Sequence, residues 1–511
     1  MNLKKRICSA VLLIGIVAAV AGAGFFGLPI KEREKNQPSV PENQKETIYF
    51  WYTDEALTDY LNSAAVAYGE SHNARVIPVL TSGLEYLEGI NKASLQSEAY
   101  PDLYVISNDS LEKAYLSGLA AKVEESVWDD IKEEYPDAAR LAATYKGDII
   151  AYPWYFETSA LLYNRTYLEE FAARQIKAEA VETTAEEELE TGMDEGMPDL
   201  ENIGEESNEP AVDEEKLREK VKELLPNTIQ DILSFANEYD APEQVEAIFK
   251  WDVTDIFYNY FFAGNYLNVG GEAGDSTANM DIYNKDAIRC LQVYQDLNQF
   301  FSIDTKEISY EDVLNDFIQG KIVYTVATTD AVAKLEEAKA AGEFQYEYSI
   351  AVVPDIDEVL QTRSLSVTNC IVINGYTNHR KLAEDFARFL TSEYVSTLYA
   401  RSGKVAARYG VDYGNMNLQE FVNEYDVSIP VPKMVETSNF WMELEVVFSQ
   451  IWNGADVNER LRLLSEKMMT QVQGQPYIEP VLKLEENETE ETGEIEYLDE
   501  EELRREAMDS E

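Results

Sequence analysis

The sequence predicts an α/β protein of two lobes, each a mostly parallel sheet covered by helices. Three observations lead there. A chain of 511 residues, 45% hydrophobic and 11% aromatic, has the composition of a folded protein but is too long for one compact core. From residue 47 to 119, β-branched and aromatic runs alternate with apolar-periodic segments behind helix caps, the pattern of strands joined by crossover helices. Further strand and helix signals follow from residue 224 to 472.

Residues 47–52 (TIYFWY) read as the first strand, and Thr53-Asp54 cap a helix over about 56–68. Strands are expected at 76–80 and 103–107, the second followed by Asn108-Asp109 as a cap. In parallel sheets ligands bind beyond the carboxyl ends of the strands, which places Tyr52, Asp54, Asn108 and Asp109 on one rim. Residues 145–165 (YKGDIIAYPWYFETSALLYNR) hold a turn, a short apolar strand at 149–151, and Pro153, which keeps the preceding residue extended. Trp154, Tyr155 and Phe156 follow with Glu157 directly behind them. Aromatic faces cover the apolar faces of sugar-like rings and a carboxylate accepts hydroxyl hydrogen bonds, so Trp154, Tyr155 and Glu157 are candidate ligand contacts facing one gap. Two core strands with a solvated Glu157 are the other reading.

Farther on, a helix is expected from Pro226, with Ile229, Ile232, Leu233 and Ala236 on one face. An edge segment at 248–252 offers Trp251 and Asp252 at the mouth of an aromatic helix over 254–267. Helices at 285–298 and before Gly320 lead to a buried strand at 322–327, after which Thr328-Thr329-Asp330 open another helix. Strands at 348–354 and 368–374 precede surface helices at 378–390 and 392–401. Thr437-Ser438-Asn439 cap a helix bearing Trp441, and a last helix covers 457–472.

The formal charge is −54. Such a surface repels nucleic acid and anionic lipid headgroups, which excludes a nucleic-acid partner. The acids gather in two runs, an insertion at 172–212 whose polarity and like charges predict disorder with at most a solvated helix at its edges, and a tail at 484–511. His72 and His379 are the only histidines, and no oxygen-ligand loop of the D-x-D-x-D-G kind occurs, so neither a metal nor a cofactor is expected. Cys290 and Cys370 are too sparse for a disulfide framework and are expected as buried thiols. At the N-terminus Lys4-Lys5-Arg6 precede an uncharged, mostly apolar run to Ile30, an export signal that places the rest of the chain outside the cytoplasm. Cleavage after Ala23 and retention as a membrane anchor both fit residues 1–30, and residues 31–45 read as a flexible tether.

The segment YKGDIIAYP, with Glu157 and then LLYNR at 161–165, resembles the hinge-crossing segment of extracellular solute-binding proteins of the maltose-binding type, the capture subunits of bacterial ABC importers. The likeness runs from about residue 46 to 475. It implies the two-lobe periplasmic-binding-protein fold of type II, with lobe 1 at 46–153 and a return at about 357–430, and lobe 2 at 154–356 and a return at about 431–478. Three crossings join the lobes, the second and third matching 348–354 and 368–374, with Pro354 at a hinge. Sugar-binding relatives carry Gly-Pro-Trp where this chain has Thr328-Thr329-Asp330, so Asp330 stands where a stacking tryptophan is usual. Trp441 matches another stacking tryptophan, a buried core tryptophan being its alternative. The implied partners are a small-molecule solute, most plausibly a carbohydrate, and an ABC permease, with the membrane reached only through the N-terminal segment and the protein a monomer. Five carboxylates (Asp54, Asp109, Glu157, Asp252, Asp330) with few basic residues near them favour a neutral hydroxyl-rich ligand or a cationic one. Two other classes remain at this stage: a surface-tethered sensor or adhesin, and a glycosidase pairing Glu157 with Asp252 or Asp330.

Overall fold

The computed structural model describes residues 45–96, 99–191 (main chain alone from 181), 213–301 and 303–483. The export signal, the tether and the acidic tail lie outside these residues. Ten strands form one sheet: β1 (Glu46–Tyr52), β2 (Ala74–Leu80), β3 (Leu103–Ser107), β4 (Tyr152–Asn164), β5 (Ala247–Phe249), β6 (Ile322–Thr328), β7 (Tyr348–Ala351), β8 (Leu365–Ile373), β9 (Val405–Ala406) and β10 (Ile429–Pro430). Their path is β2-β1-β3-β8-β4-β6-β5, with β7 and β9 also on β4 and β10 on β8. Parallel pairing holds among β1, β2 and β3 and between β5 and β6. Around β4 the pairs are antiparallel.

The thirteen-residue strand β4 belongs to both lobes. Residues 152–158 pair with β8, and 155–156 also with β9. Residues 159–164 pair instead with β6 and β7. Side chains alternate faces along a strand. Accordingly Tyr152, Trp154, Phe156, Ala160 and Leu162 enter one apolar cluster, whereas Leu161 and Tyr163 enter a second on the opposite face.

Several expectations need correction. Residues 254–267 form two short 3-10 turns, Ile256–Tyr258 and Tyr260–Phe262, rather than a helix. Tyr260, Phe261 and Phe262 are all buried, so the run has no polar face, and the Asn259 amide ties off the carbonyls of Asp252 and Asp255. The stretch 368–374 is no crossing: β8 pairs with β3 and with the first part of β4, so it lies within lobe 1. By the same pairing the chain passes between lobes again between β7 and β8, at 352–364, and after β10, at 431–435. At the leading edge of the acidic insertion, where a solvated helix was allowed, a helix spans Arg165–Thr191 and pairs Glu179 with Lys220 of the helix Glu214–Glu223 at 2.8 Å. Cys290 and Cys370 are buried free thiols. No helix among the described residues is long and apolar enough to cross a membrane.

The helix Met416–Val427 braces the second passage. Its Glu424 is 1% exposed and accepts a hydrogen bond from the Val353 amide at 3.0 Å. Burial raises this carboxyl from 4.5 to about 7. Between those values the folded state keeps a proton that the unfolded chain gives up, so the stabilisation is whole below about pH 4.5 and is lost as pH rises through about 7. Urea unfolding at pH 5 and pH 8 should therefore show the native chain losing about 2–3 kcal/mol that Glu424→Gln does not lose; equal losses in both chains would show that Glu424 is not held neutral.

Candidate functional site

The side chain at the point where β4 passes from one lobe to the other is Glu157. It is partly exposed, and one of its oxygens accepts a hydrogen bond from the Thr329 hydroxyl, which leaves β6 in lobe 2. From lobe 1, the Lys404 ammonium approaches its other oxygen at 3.9 Å. Lys404 stands immediately before β9, and the pairing of Val405 and Ala406 with Phe156 and Tyr155 fixes it beside the crossing strand. Its ammonium lies 2.9 Å from Asp54 and 5.5 Å from the centre of the Tyr155 ring. Asp54 in turn caps the short turn after β1, accepting from the Ala56 amide at 2.9 Å. Burial pushes the Glu157 carboxyl above its ordinary value, an effect that Thr329 and Lys404 oppose and that the Asp330 and Asp54 charges reinforce.

Asp330 continues this polar line into lobe 2. It opens the helix Asp330–Ala341, accepts from the Tyr310 hydroxyl at 3.0 Å and pairs with Lys334 one turn on at 2.9 Å. Burial works against its charge, yet Thr328, Lys334 and Tyr310 together hold the carboxyl below its ordinary value. The Tyr310 ring stacks on Tyr258 at 4.7 Å. On the lobe 1 side a cavity of about 370 Å³ opens at the carboxyl ends of β1 and β3, its lining including Thr53, Asp54, Tyr86, Ser107, Lys113 and Tyr155. Its position is the one parallel-sheet topology reserves for ligands. Among the described residues no group of three or more His, Cys, Asp or Glu is placed to hold a metal ion.

Of the residues singled out in the sequence, Asp54, Tyr155 and Glu157 come together, and Asp330 joins them through Thr328 and Thr329. The rest are placed elsewhere. Trp154 is 1% exposed and packs edge-on against Phe50 at 6.0 Å and at a tilt against Tyr60 at 5.8 Å. The register slips beside it, between Asn369 and Cys370 of β8, and its side chain is taken into the lobe 1 core, not toward the gap at Glu157. Tyr52 is core, its hydroxyl donating to Thr58 at 3.0 Å. Asn108 is a buried tie, accepting from the Thr368 amide at 2.9 Å and donating to the Val431 carbonyl at 2.7 Å. Asp109 faces its own turn, accepting from the hydroxyls of Ser107 and Ser110. Trp251 is fully buried, stacked on Phe249 at 4.4 Å and edge-on to Trp452 at 5.5 Å, since residues 249 and 251 share the inward face beyond β5. Asp252 is buried and spends Oδ1 on the amide and hydroxyl of Thr254. Trp441 is half-buried against Tyr260 and Phe440.

The sequence profile of one family, bacterial extracellular solute-binding protein, matches residues 63–412. A maltotriose-binding protein of Pyrococcus abyssi (strain GE5 / Orsay) is 32% identical over 84 residues, which is 16% of this chain and 18% of the length of that relative. Among solved structures, an extracellular solute-binding protein from Staphylococcus aureus in complex with maltose superposes with a TM-score of 0.65 at 16% identity, covering 84% of this chain and 99% of that one. A maltose-binding periplasmic protein from Listeria monocytogenes in complex with maltose gives 0.60 at 17% identity, covering 84% and 97%. At these identities the likeness speaks for the fold, which is the two-lobe periplasmic-binding architecture.

Lys404, Thr329 and Tyr310 escaped the sequence reading. Asp330 was reached through its place in the turn where sugar-binding relatives carry Gly-Pro-Trp; Lys404 left no signal, because a two-residue strand brings it to the site. The burial of Trp154 separates two roles that an aromatic on β4 can play. Trp154→Ala should destabilise the fold by about 3–5 kcal/mol in chemical denaturation, while ligand affinity measured well below the transition changes little. A large affinity loss with stability intact would return Trp154 to the binding surface.

Proposed function

The chain belongs to the bacterial extracellular solute-binding protein family, and we propose that it captures a sugar or short oligosaccharide at the junction of its lobes, outside the cytoplasm, and delivers it to an ABC permease. The observation that carries this reading is the meeting of both lobes on one side chain: Glu157, on the shared strand, is contacted by Lys404 from lobe 1 and Thr329 from lobe 2. A ligand placed there touches both lobes at once, so binding favours whichever arrangement brings them together. Carboxylates, hydroxyls and an ammonium are the groups that recognise sugar hydroxyls, and the adjoining cavity adds the aromatic ring of Tyr155. The maltose held by the S. aureus and L. monocytogenes proteins of the same fold supports the same class of ligand.

Lobe 1 in this reading comprises 46–158 with a return through β8 to β10, and lobe 2 comprises 159–351 with the return from about 431 to 478, the boundary lying past 153 because residues 152–158 pair with β8. The protein acts as a monomer, and residues 1–30 export it and, if retained, tether it to the membrane. Titration calorimetry of the exported chain against maltotriose and a panel of neutral glycans should give one ligand per chain. Replacing Glu157 with Gln removes a charge-assisted acceptor, a loss of roughly 1.5–3 kcal/mol or about tenfold or more in affinity. No heat with any neutral glycan, together with binding of a polyamine or a peptide, would overturn the carbohydrate reading.

A further inference from the structure

The carboxylates at the lobe junction are not free to meet a ligand cation. Lys404 already stands between two of them, 2.9 Å from Asp54 and 3.9 Å from Glu157, with its ammonium over the Tyr155 ring. Asp330 is likewise engaged by Lys334. An incoming ammonium seeking Asp54 or Glu157 would have to displace Lys404 or sit beside a like charge, and like charges brought together in a half-buried site cost several kcal/mol. An incoming anion fares no better, because Asp54 and Glu157 together outweigh the single lysine. A hydroxyl meets neither obstacle. Lys404 has three N–H donors and its side chain is 23% exposed, so donors remain after Asp54 takes one, and both carboxylates keep lone pairs for hydroxyl hydrogens.

We infer that Lys404 is the specificity-determining residue of this site: it occupies the position a ligand cation would take between Asp54 and Glu157 and so confines the site to neutral polyhydroxyl ligands. This rests on the lobe junction being the binding site. It separates the two ligand classes that the sequence alone left open, and it assigns the choice to one side chain carried in from far along the chain. The lysine could instead serve only to tie the segment before β9 to the end of β1. That role predicts a change in stability, whereas specificity predicts a change in the ratio of affinities.

The test is calorimetry on the exported chain with two trimers of matched size, neutral maltotriose and the cationic trimer of β-1,4-linked glucosamine, for the native protein, Lys404→Arg and Lys404→Met. The native chain and Lys404→Arg should favour maltotriose over the cationic trimer by about tenfold or more, and Lys404→Met should reverse that preference. A native chain that binds both trimers equally, or a Lys404→Met chain that keeps the native ratio while folded by circular dichroism, overturns the inference. If the native chain binds neither trimer, the carbohydrate reading fails and spermidine becomes the probe. A gain of about tenfold in spermidine affinity for Lys404→Met over the native chain then supports cation exclusion by Lys404, and no gain overturns it. If Lys404→Met does not fold, Lys404→Gln removes the same charge with less loss of polarity and is read by the same ratios.

Discussion

The structure depends on one continuous run of main-chain hydrogen bonding. Buried peptide groups have to be paired, and over 152–164 β4 meets that demand by using the strands of lobe 1 first and those of lobe 2 afterwards. Neither lobe can complete its sheet without this strand, so the junction is held by backbone pairing as well as by side-chain packing. The handover falls between Thr158, paired with Ser366, and Ser159, paired with Thr328. A side chain near that point keeps a fixed relation to both lobes, and Glu157 stands one residue before Thr158 ends the lobe 1 pairing. Its hydrogen bond to Thr329 and its approach to Lys404 follow from that address.

Charge at this point is managed differently from charge on the rest of the molecule. The chain carries −54 overall, yet at the junction each carboxylate has a specific partner: Asp54 and Glu157 share Lys404, and Asp330 takes Lys334. Partial burial makes that necessary, because an unpaired carboxylate there would be protonated instead of charged. Glu157 shows the competition most plainly, burial moving its carboxyl up while a hydroxyl and an ammonium pull it back. A carboxylate held in this way still has lone pairs to accept hydrogen bonds.

Much of the scaffold was legible because it obeys local rules. Strand β3 was found residue for residue, and the helices opening at Lys285, Asp330 and Val457 start where caps and apolar spacing put them. The aromatic run at 254–267 was misread because ring spacing alone does not make a helix when every face is buried. At the site, Asp54 was legible as a polar residue beyond a strand end, and Tyr155 and Glu157 as a ring and a carboxylate on one short run. Trp154 was not, although the strand's own period held the answer: residues 154 and 157 are three apart and so point to opposite faces. Lys404 was hidden for another reason. Nothing in the pattern of residues 403–406 announces that a two-residue strand will lie against β4, so the sequence appeared to lack basic residues near its carboxylates.

The third passage between lobes adds a constraint that neither β4 nor the sheet provides. Lys433 is 1% exposed and its ammonium donates to the carbonyl of Leu141 in lobe 1 and to that of Ala273 in lobe 2. The chain around it is gripped on both sides: the Val431 carbonyl accepts from Asn108, the Val435 amide donates to Glu112, and the Lys433 amide donates to the Gly274 carbonyl. Gly274 approaches so closely that a Cβ there would lie 2.6 Å from Pro432 Cα. Burial lowers the Lys433 ammonium to about 8, so near neutral pH it is still charged and needs both acceptors. A movement that drew Leu141 and Ala273 apart would strand a buried ammonium, at a cost of several kcal/mol. The second passage is tied by other groups, the Val353 amide donating to Glu424 and Arg363 to the carbonyls of Val427 and Ser428, while Val352 and Val359 are exposed along it. Relative motion of the lobes is therefore cheapest when it leaves residues 431–435 in place.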